Sequence, residues 1–338
     1  MIPARLLDTI DMLSRSGIAV IFISHKLEEV IRCCHSIVIM RDGEHVGTRL
    51  AKDTNALELS KLMIGRSIAM NTIGYKRELQ DDAILSLQDF HVAMPGETVK
   101  GVTIDVRKGE ILGFAGLAGQ GKAGIANGIM GLYPTKGNVV YQGKPLSCKN
   151  AMDALQSGIG FVSENRREVG LLLDESIEYN IIMNALIVKN QFLKKADFFT
   201  QIDTRAVRQA AENMVKEFQI KCSSVSQAVR ALSGGNQQKV CMARAVVLSP
   251  TLLLISEPTR GIDIGAKKLI LDYLVKMNRE HGMTIIITSS ELQELRSVCD
   301  RIAIIANGKV EGVLEPDAAD EDFGLMMTGE YHLYKKGA

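Results

Sequence analysis

"GLAGQGKAGI", residues 116–125, has the spacing of a phosphate-binding loop: Gly116, Gly121 and Lys122 stand where G-x-x-x-x-G-K requires them. Ala123 stands where a Ser or Thr hydroxyl is expected. The stretch follows an apolar run, "GEILGFAGL" (109–117), read as a buried strand, and residues 122–132 open as a helix. In that setting backbone N–H groups at a helix N-terminus cradle phosphate and the lysine adds a point charge. Taken alone, the same glycines also describe a tight turn.

Two later stretches decide between these readings. "ALSGGNQQKV" (231–240) opens a helix with Ser-Gly-Gly, a second anion-binding end in the same chain. "TLLLISEP" (251–258) is an apolar strand leading into "SEPTRGID", which puts Glu257 at a strand end, where open α/β sheets bind ligands. Around these, 84–91 and 98–106 alternate as strands, helical patterns dominate from about 150 to 248, and a helix over 264–280 precedes the strand "TIIITSS" (284–290). Strands alternating with helices imply a mainly parallel sheet with both faces covered.

The chain is also internally repetitive. "GIAVIFISHKLEEVIRCCHSIVIMRDGEHVG" (17–47) aligns without gaps to "GMTIIITSSELQELRSVCDRIAIIANGKVEG" (282–312), with Ser290 opposite His25. Each copy reads as an apolar run, a polar helix, a second apolar run and a turn into a short strand. The second copy closes a domain-sized unit, whereas the first has some twenty residues before it. The expected order is therefore the back end of one domain (1–70), a linker (71–82), a whole domain (83–330) and a short tail (331–338).

The 338 residues carry 40 basic and 39 acidic side chains, a formal charge of +1, with 46% hydrophobic residues. No global field favours nucleic acid or an anionic membrane. "NRRE" (165–168) and "LKKAD" (193–197) are read as solvated faces, and no nucleic-acid partner is expected. Cys33, Cys34, Cys148, Cys222, Cys241 and Cys299 form no C-x-x-C pair, and there is no signal sequence, which reads as reduced, mostly buried thiols of a cytosolic protein.

Glycine loop, LSGGNQQ, strand with Glu-Pro-Thr, Gly-Ile-Asp and a later apolar strand together resemble the nucleotide-binding domain of ABC transporters. "LSGGNQQKV" with "EPTRGIDIGAK" is similar in particular to the tandem ATP-binding subunits of bacterial sugar importers of the ribose, galactose and xylose kind. The resemblance implies an α/β P-loop NTPase fold with a mainly parallel core sheet, an antiparallel β subdomain and a helical subdomain near 150–248, preceded by the C-terminal fragment of a second such domain.

By the same resemblance, Gly116, Gly119, Gln120, Gly121, Lys122, Ala123 and Gly124 hold the nucleotide. Leu232, Ser233, Gly234, Gly235, Asn236 and Gln237 form the signature that contacts the γ-phosphate of a facing domain. Glu257 is the carboxylate that polarises the attacking water, and Asp263 falls in the dimer-contacting D-loop. Ser290 and His25 occupy the switch positions of the two copies; His25 is either that residue or a partly exposed histidine. Phe90 either stacks on adenine or lies in the core. At "SENRREVG" (163–170) the family's Q-loop glutamine is absent, and Glu164 and Asn165 are its polar candidates, or the stretch is a surface turn. "LLLDESIEYNIIMNALI" is a surface for the permease or simply core.

Three departures bear on catalysis. Ala123 removes a Mg²⁺-ligating hydroxyl, Ser256 replaces the aspartate before the catalytic glutamate, and Ser290 replaces histidine. A hard cation held by few protein oxygens tolerates such losses poorly. The expectation is an ATP-binding subunit of an importer for sugars or similar solutes, with a degenerate site that binds ATP, couples weakly to Mg²⁺ and hydrolyses slowly. Its partners would be transmembrane permease subunits, a second nucleotide-binding domain in trans and, indirectly, an extracytoplasmic solute-binding protein. It would sit on the cytoplasmic face of the membrane. The alternatives are a soluble ABC protein of ribosomes or DNA, and an inactive remnant of a split gene.

Overall fold

Which strands pair is decided by the apolar runs. "ILGFA", "LLLIS" and "TIIIT" become β5 (Ile111–Ala115), β11 (Leu252–Ser256) and β12 (Thr284–Thr288), each buried along its whole length. Continuous β-branched and leucine runs of this kind suit strands covered on both faces. A computed structural model describes residues 4–24, 27–41, 44–55, 58–59, 62, 79, 81–196 and 199–329. These fall into two compact units, one within Met1–Asn71 plus Asp263–Lys268, the other within Thr72–Ile262 plus Leu269–Ala338. His25, most of the expected linker and the tail 331–338 lie outside the described residues.

In the larger unit the core sheet has the order β14-β13-β5-β12-β11-β8, with β8 at Ile159–Val162, β13 at Arg301–Ala306 and β14 at Lys309–Leu314. All neighbours are parallel except β13 and β14. A separate antiparallel sheet joins β3 (Ala83–Val92), β4 (Val99–Arg107), β6 (Thr135–Tyr141) and β7 (Lys144–Pro145) in the order β4-β3-β6-β7. Helix α3 (Lys122–Ile129) starts directly from the loop after β5, and Ile125, Ala126 and Ile129 bury themselves in the core shared with Phe90, Val92 and Phe114.

The region from 150 to 248 is less uniformly helical than its pattern. It contains α4 (Ala151–Gln156), α5 (Ile177–Lys189), α6 (Thr204–Glu217) and α7 (Gly234–Val246), but also β8 and a hairpin of β9 (Leu193–Ala196) and β10 (Phe199–Ile202). "IGFV" is too short for periodicity to separate strand from buried helix; it is a strand because β11 gives it a parallel partner. "LKKA" lies in the hairpin. Of "LLLDESIEYNIIMNALI", Ile177, Ile181, Ile182 and Ala185 are core, while Leu172 stays exposed.

The smaller unit repeats the order of elements at the end of the larger one. Its α1 (Ala4–Arg15), α2 (Leu27–Cys33), β1 (Ser36–Arg41) and β2 (Glu44–Leu50) match α8 (Ile264–His281), α9 (Leu292–Val298), β13 and β14 in order. The antiparallel pair β1/β2 has an irregularity between Ile39 and Met40, where the repeat puts that between Ile304 and Ile305 of β13. Residues 19–24, within the first apolar run of the repeat, form no strand. Their counterpart β12 is held between β5 and β11, and a strand without partners has no ladder to satisfy its backbone. Ile21 and Ile23 are each 91% exposed, beside a groove of about 960 Å³ whose lining includes Val20, Phe22, Ile37 and Ile39.

Candidate nucleotide-binding site

Loop 116–121 leaves β5 and closes on α3 through Gly121, whose φ of +100° makes it the left-handed N-cap of that helix. A Cβ there would fall 2.6 Å from the Thr98 carbonyl oxygen, so only glycine fits. The Gly119 N–H donates to Glu97 Oε1 at 2.8 Å, and the Gly121 and Ala123 N–H groups donate to Glu97 Oε2 at 2.9 and 3.2 Å. Backbone donors aimed at one carboxylate are the geometry of an anion cradle, with the carboxylate standing in for a phosphate group. Lys122 is buried and its Nζ reaches the Leu117 carbonyl at 3.4 Å. Gln120 is tied away from the cradle, its carbonyl accepting from Gly308 N–H at 2.9 Å.

One turn into α3, Asn127 Nδ2 donates to the Ala123 carbonyl at 2.9 Å and, at 3.5 Å, to Glu164 Oε1. That contact brings the candidate Q-loop carboxylate to the same helix. Asn165 instead caps the following turn by accepting from the Glu168 N–H at 3.2 Å.

Glu257 directly follows β11 with φ +49°, its N–H donating to the Thr288 carbonyl at 2.7 Å. Ser290 Oγ donates to Glu257 Oε1 at 2.5 Å, so the residue expected at the switch position holds the carboxylate directly. Behind them Glu294, 2% exposed, accepts from Ser289 Oγ at 2.8 Å and from Thr259 Oγ1, tying the Glu-Pro-Thr turn to the segment after β12.

Ser233 is the N-cap of α7 and accepts from Asn236 Nδ2 at 3.0 Å. Asn236 Oδ1 accepts from the Lys221 N–H at 3.0 Å. Gln237 is buried and donates to the Val229 and Leu232 carbonyls at 3.4 and 3.2 Å. Of these residues Ser233 is exposed, Gly234 half-buried and Gly235 buried, while Leu232 and Gln237 are buried at the helix entry. Asp263 accepts from the Ala266 N–H at 2.9 Å, capping α8.

Phe90 is 1% exposed and its ring packs against Gly128 and Val92, so no face is open to a base. An irregularity in β3 between Leu87 and Phe90, with Asp89 at φ +47°, shifts the alternation and turns Phe90 to the core side with Leu85 and Leu87. Three residues escaped the sequence reading. Glu97 and Asn127 carry no motif. Arg166, grouped with a solvated cluster, is half-buried, donates from Nη1 to the Arg260 carbonyl at 2.9 Å and lies against Gly234; burial draws its pKa down from the ordinary arginine value. The sole sequence signal for Arg166 was its place in the Q-loop stretch.

For Mg²⁺ the donor set is poor. Ala123 offers a methyl group, and Ser256, fully buried, has an Oγ with no hydrogen-bond partner among the described residues. A neutral hydroxyl cannot replace the charge of an aspartate in holding a hard cation. The residues present do not fit the metal as the resemblance would place it.

Residues 99–260 match the family model described as ABC transporter. The chain is 38% identical over 330 residues to the ribose import ATP-binding protein RbsA of Bacillus cereus, covering 96% of this chain and 63% of that protein. It is 36% identical over 319 residues to RbsA of Clostridium perfringens, covering 94% of this chain and 62% of that one. Among solved structures, the dimeric post-hydrolysis state of the ATP-binding cassette MJ0796 bound to ADP and Pi aligns with a TM-score of 0.58 at 22% identity, over 70% of this chain and all of that one. A nucleotide-free ATP-binding cassette aligns with a TM-score of 0.59 at 19% identity, over 75% and 98%. Fold and motif order define the class: a single P-loop ATP-binding cassette of the ABC-transporter type, with a mixed sheet and a helical subdomain. Within that class the chain is homologous to the RbsA-type ATP-binding proteins, and it spans about three fifths of the length of those relatives. Among the described residues no helix is long and apolar enough to cross a membrane.

Proposed function

We propose that this chain is an ATP-binding subunit of a bacterial importer for sugars or similar small solutes. On this reading residues 83–330 are a complete nucleotide-binding domain whose own site has lost its metal chemistry, and 1–70 are the C-terminal part of a first domain. The relatives' name, ribose import, supports the solute class. The chain would act at the cytoplasmic face of the membrane with permease subunits and a solute-binding protein.

The observation that carries the reading is the cradle itself. Three N–H donors converge on one anion position beside a buried lysine, while Ala123 and Ser256 stand where metal-binding oxygens belong. The backbone and Lys122 hold the phosphates. Glu257, fixed by Ser290, is in place to orient a water, but the charge that would stabilise phosphoryl transfer is reduced. Hydrolysis at this site is slow. Ser233 and the N-terminus of α7 serve the site of a facing domain.

Equilibrium binding of a non-hydrolysable ATP analogue tests the nucleotide reading. The wild-type chain binds, and Lys122→Ala loses about tenfold in affinity, the scale of one charge-assisted contact. Equal binding by the two would contradict it.

A further inference from the structure

Glu97 lies outside every motif, yet its carboxylate takes up the donors a phosphate needs. Its placement is built by the chain around it. Residues 94–97 form a tight turn, with Gly96 at φ +76°, the Glu97 N–H donating to the Met94 carbonyl at 3.2 Å and Thr98 Oγ1 donating to the same oxygen at 3.1 Å. That turn packs directly on the start of α3: a Cβ on Gly124 would lie 2.1 Å from the Glu97 carbonyl oxygen, and one on Gly121 2.6 Å from that of Thr98. Glycine at both positions lets the segment approach closely enough for the side chain to span Gly119 to Ala123. The backbone of Glu97 is thus fixed against the helix, while its side chain, partly open to solvent, is free to turn away.

We propose that Glu97 is an internal competitor for the phosphate cradle, satisfying its N–H donors in the nucleotide-free chain and leaving when a triphosphate enters. This rests on the reading of 116–124 as the nucleotide site. A carboxylate and a phosphate cannot share the same donors, and two anions that close repel. Entry of the nucleotide therefore breaks three charge-assisted hydrogen bonds and turns the carboxylate out into water. The site is closed by default to weak or partial ligands, and a nucleotide must bring enough contacts to displace the plug.

The sign of a substitution separates this role from a merely structural one. Affinities for a non-hydrolysable ATP analogue and for inorganic pyrophosphate are measured by calorimetry on the wild-type chain, Glu97→Gln, Glu97→Ala and Lys122→Ala. Glu97→Ala and Glu97→Gln bind both ligands roughly fivefold to tenfold more tightly than wild type. In parallel, Glu97→Ala melts at a lower temperature than wild type without nucleotide, and the gap closes at saturating analogue. Unchanged or weaker binding by a folded Glu97→Ala, with the wild type binding normally, overturns the competitor and leaves the nucleotide reading standing. Absence of binding in every variant, the wild type included, overturns that reading and the competitor with it.

Discussion

Ala123 and Ser256 illustrate how much a single side chain decides at this site. The loop around Ala123 keeps its donors and the strand around Ser256 keeps its register with β12 and β8, so what the two residues withhold is oxygen chemistry and charge, not shape. Introducing both groups, Ala123→Thr with Ser256→Asp, should make nucleotide binding more dependent on Mg²⁺ than it is in the wild type. Hydrolysis should rise only when a facing domain supplies a signature in trans, as phosphate-release assays with and without such a domain would show. Gln237 makes the complementary case. Its amide is spent on two backbone carbonyls, so Gln237→Ala should lower stability by about 1–3 kcal/mol in chemical denaturation and leave affinity at the glycine loop unchanged.

At the scale of elements, what was legible depended on whether a signal was local. The runs forming β5, β11 and β12, and the alternation of β3 and β4, could be read because each strand's burial is written along its own residues. The four-residue β8 and the β9/β10 hairpin could not, since their state depends on partners elsewhere in the chain. The candidate site divides the same way: loop, signature and Glu257 come from spaced motifs, whereas Glu97, Asn127 and Arg166 reach it through the fold. Helix α6 offers a pH test. Asp203 accepts from the Arg205 and Ala206 N–H groups at its N-terminus, and the Ala206 bond chiefly holds its carboxyl below the usual aspartate value. A depressed folded pKa contributes stability that is present above the unfolded pKa and lost as pH falls through the folded one. Asp203→Ala should therefore lower the melting temperature at neutral pH, with the difference shrinking as the pH drops below about 4. A constant difference across that range would contradict the cap.

Across the whole chain, both units carry the same helix, helix, strand, strand order, but among the described residues the larger one alone has a strand, β12, at the position of 19–24. Ile21 and Ile23 are left exposed in the smaller unit, an apolar surface that invites pairing. Ile21→Glu with Ile23→Glu should reduce concentration-dependent self-association in light scattering, and a wild-type chain that stays monomeric throughout would remove the premise. The expectation of mostly buried thiols is corrected: Cys241 and Cys299 are buried, whereas Cys33, Cys34, Cys148 and Cys222 are half-buried. Burial pushes the Cys241 thiol up to about 12 and raises that of Cys299 well above its ordinary value. Both should resist alkylation at pH 8 until the chain is unfolded.

On the proposed reading, the phosphate cradle holds the triphosphate by its backbone donors and Lys122 with little help from a metal ion. The most direct test is the affinity of the wild-type chain for a non-hydrolysable ATP analogue, measured once in EDTA and once with saturating Mg²⁺. The proposed reading expects binding in both conditions with closely similar affinity. A large gain on adding Mg²⁺ would show that other groups take the place of Ala123 and Ser256 and that the site keeps its metal chemistry.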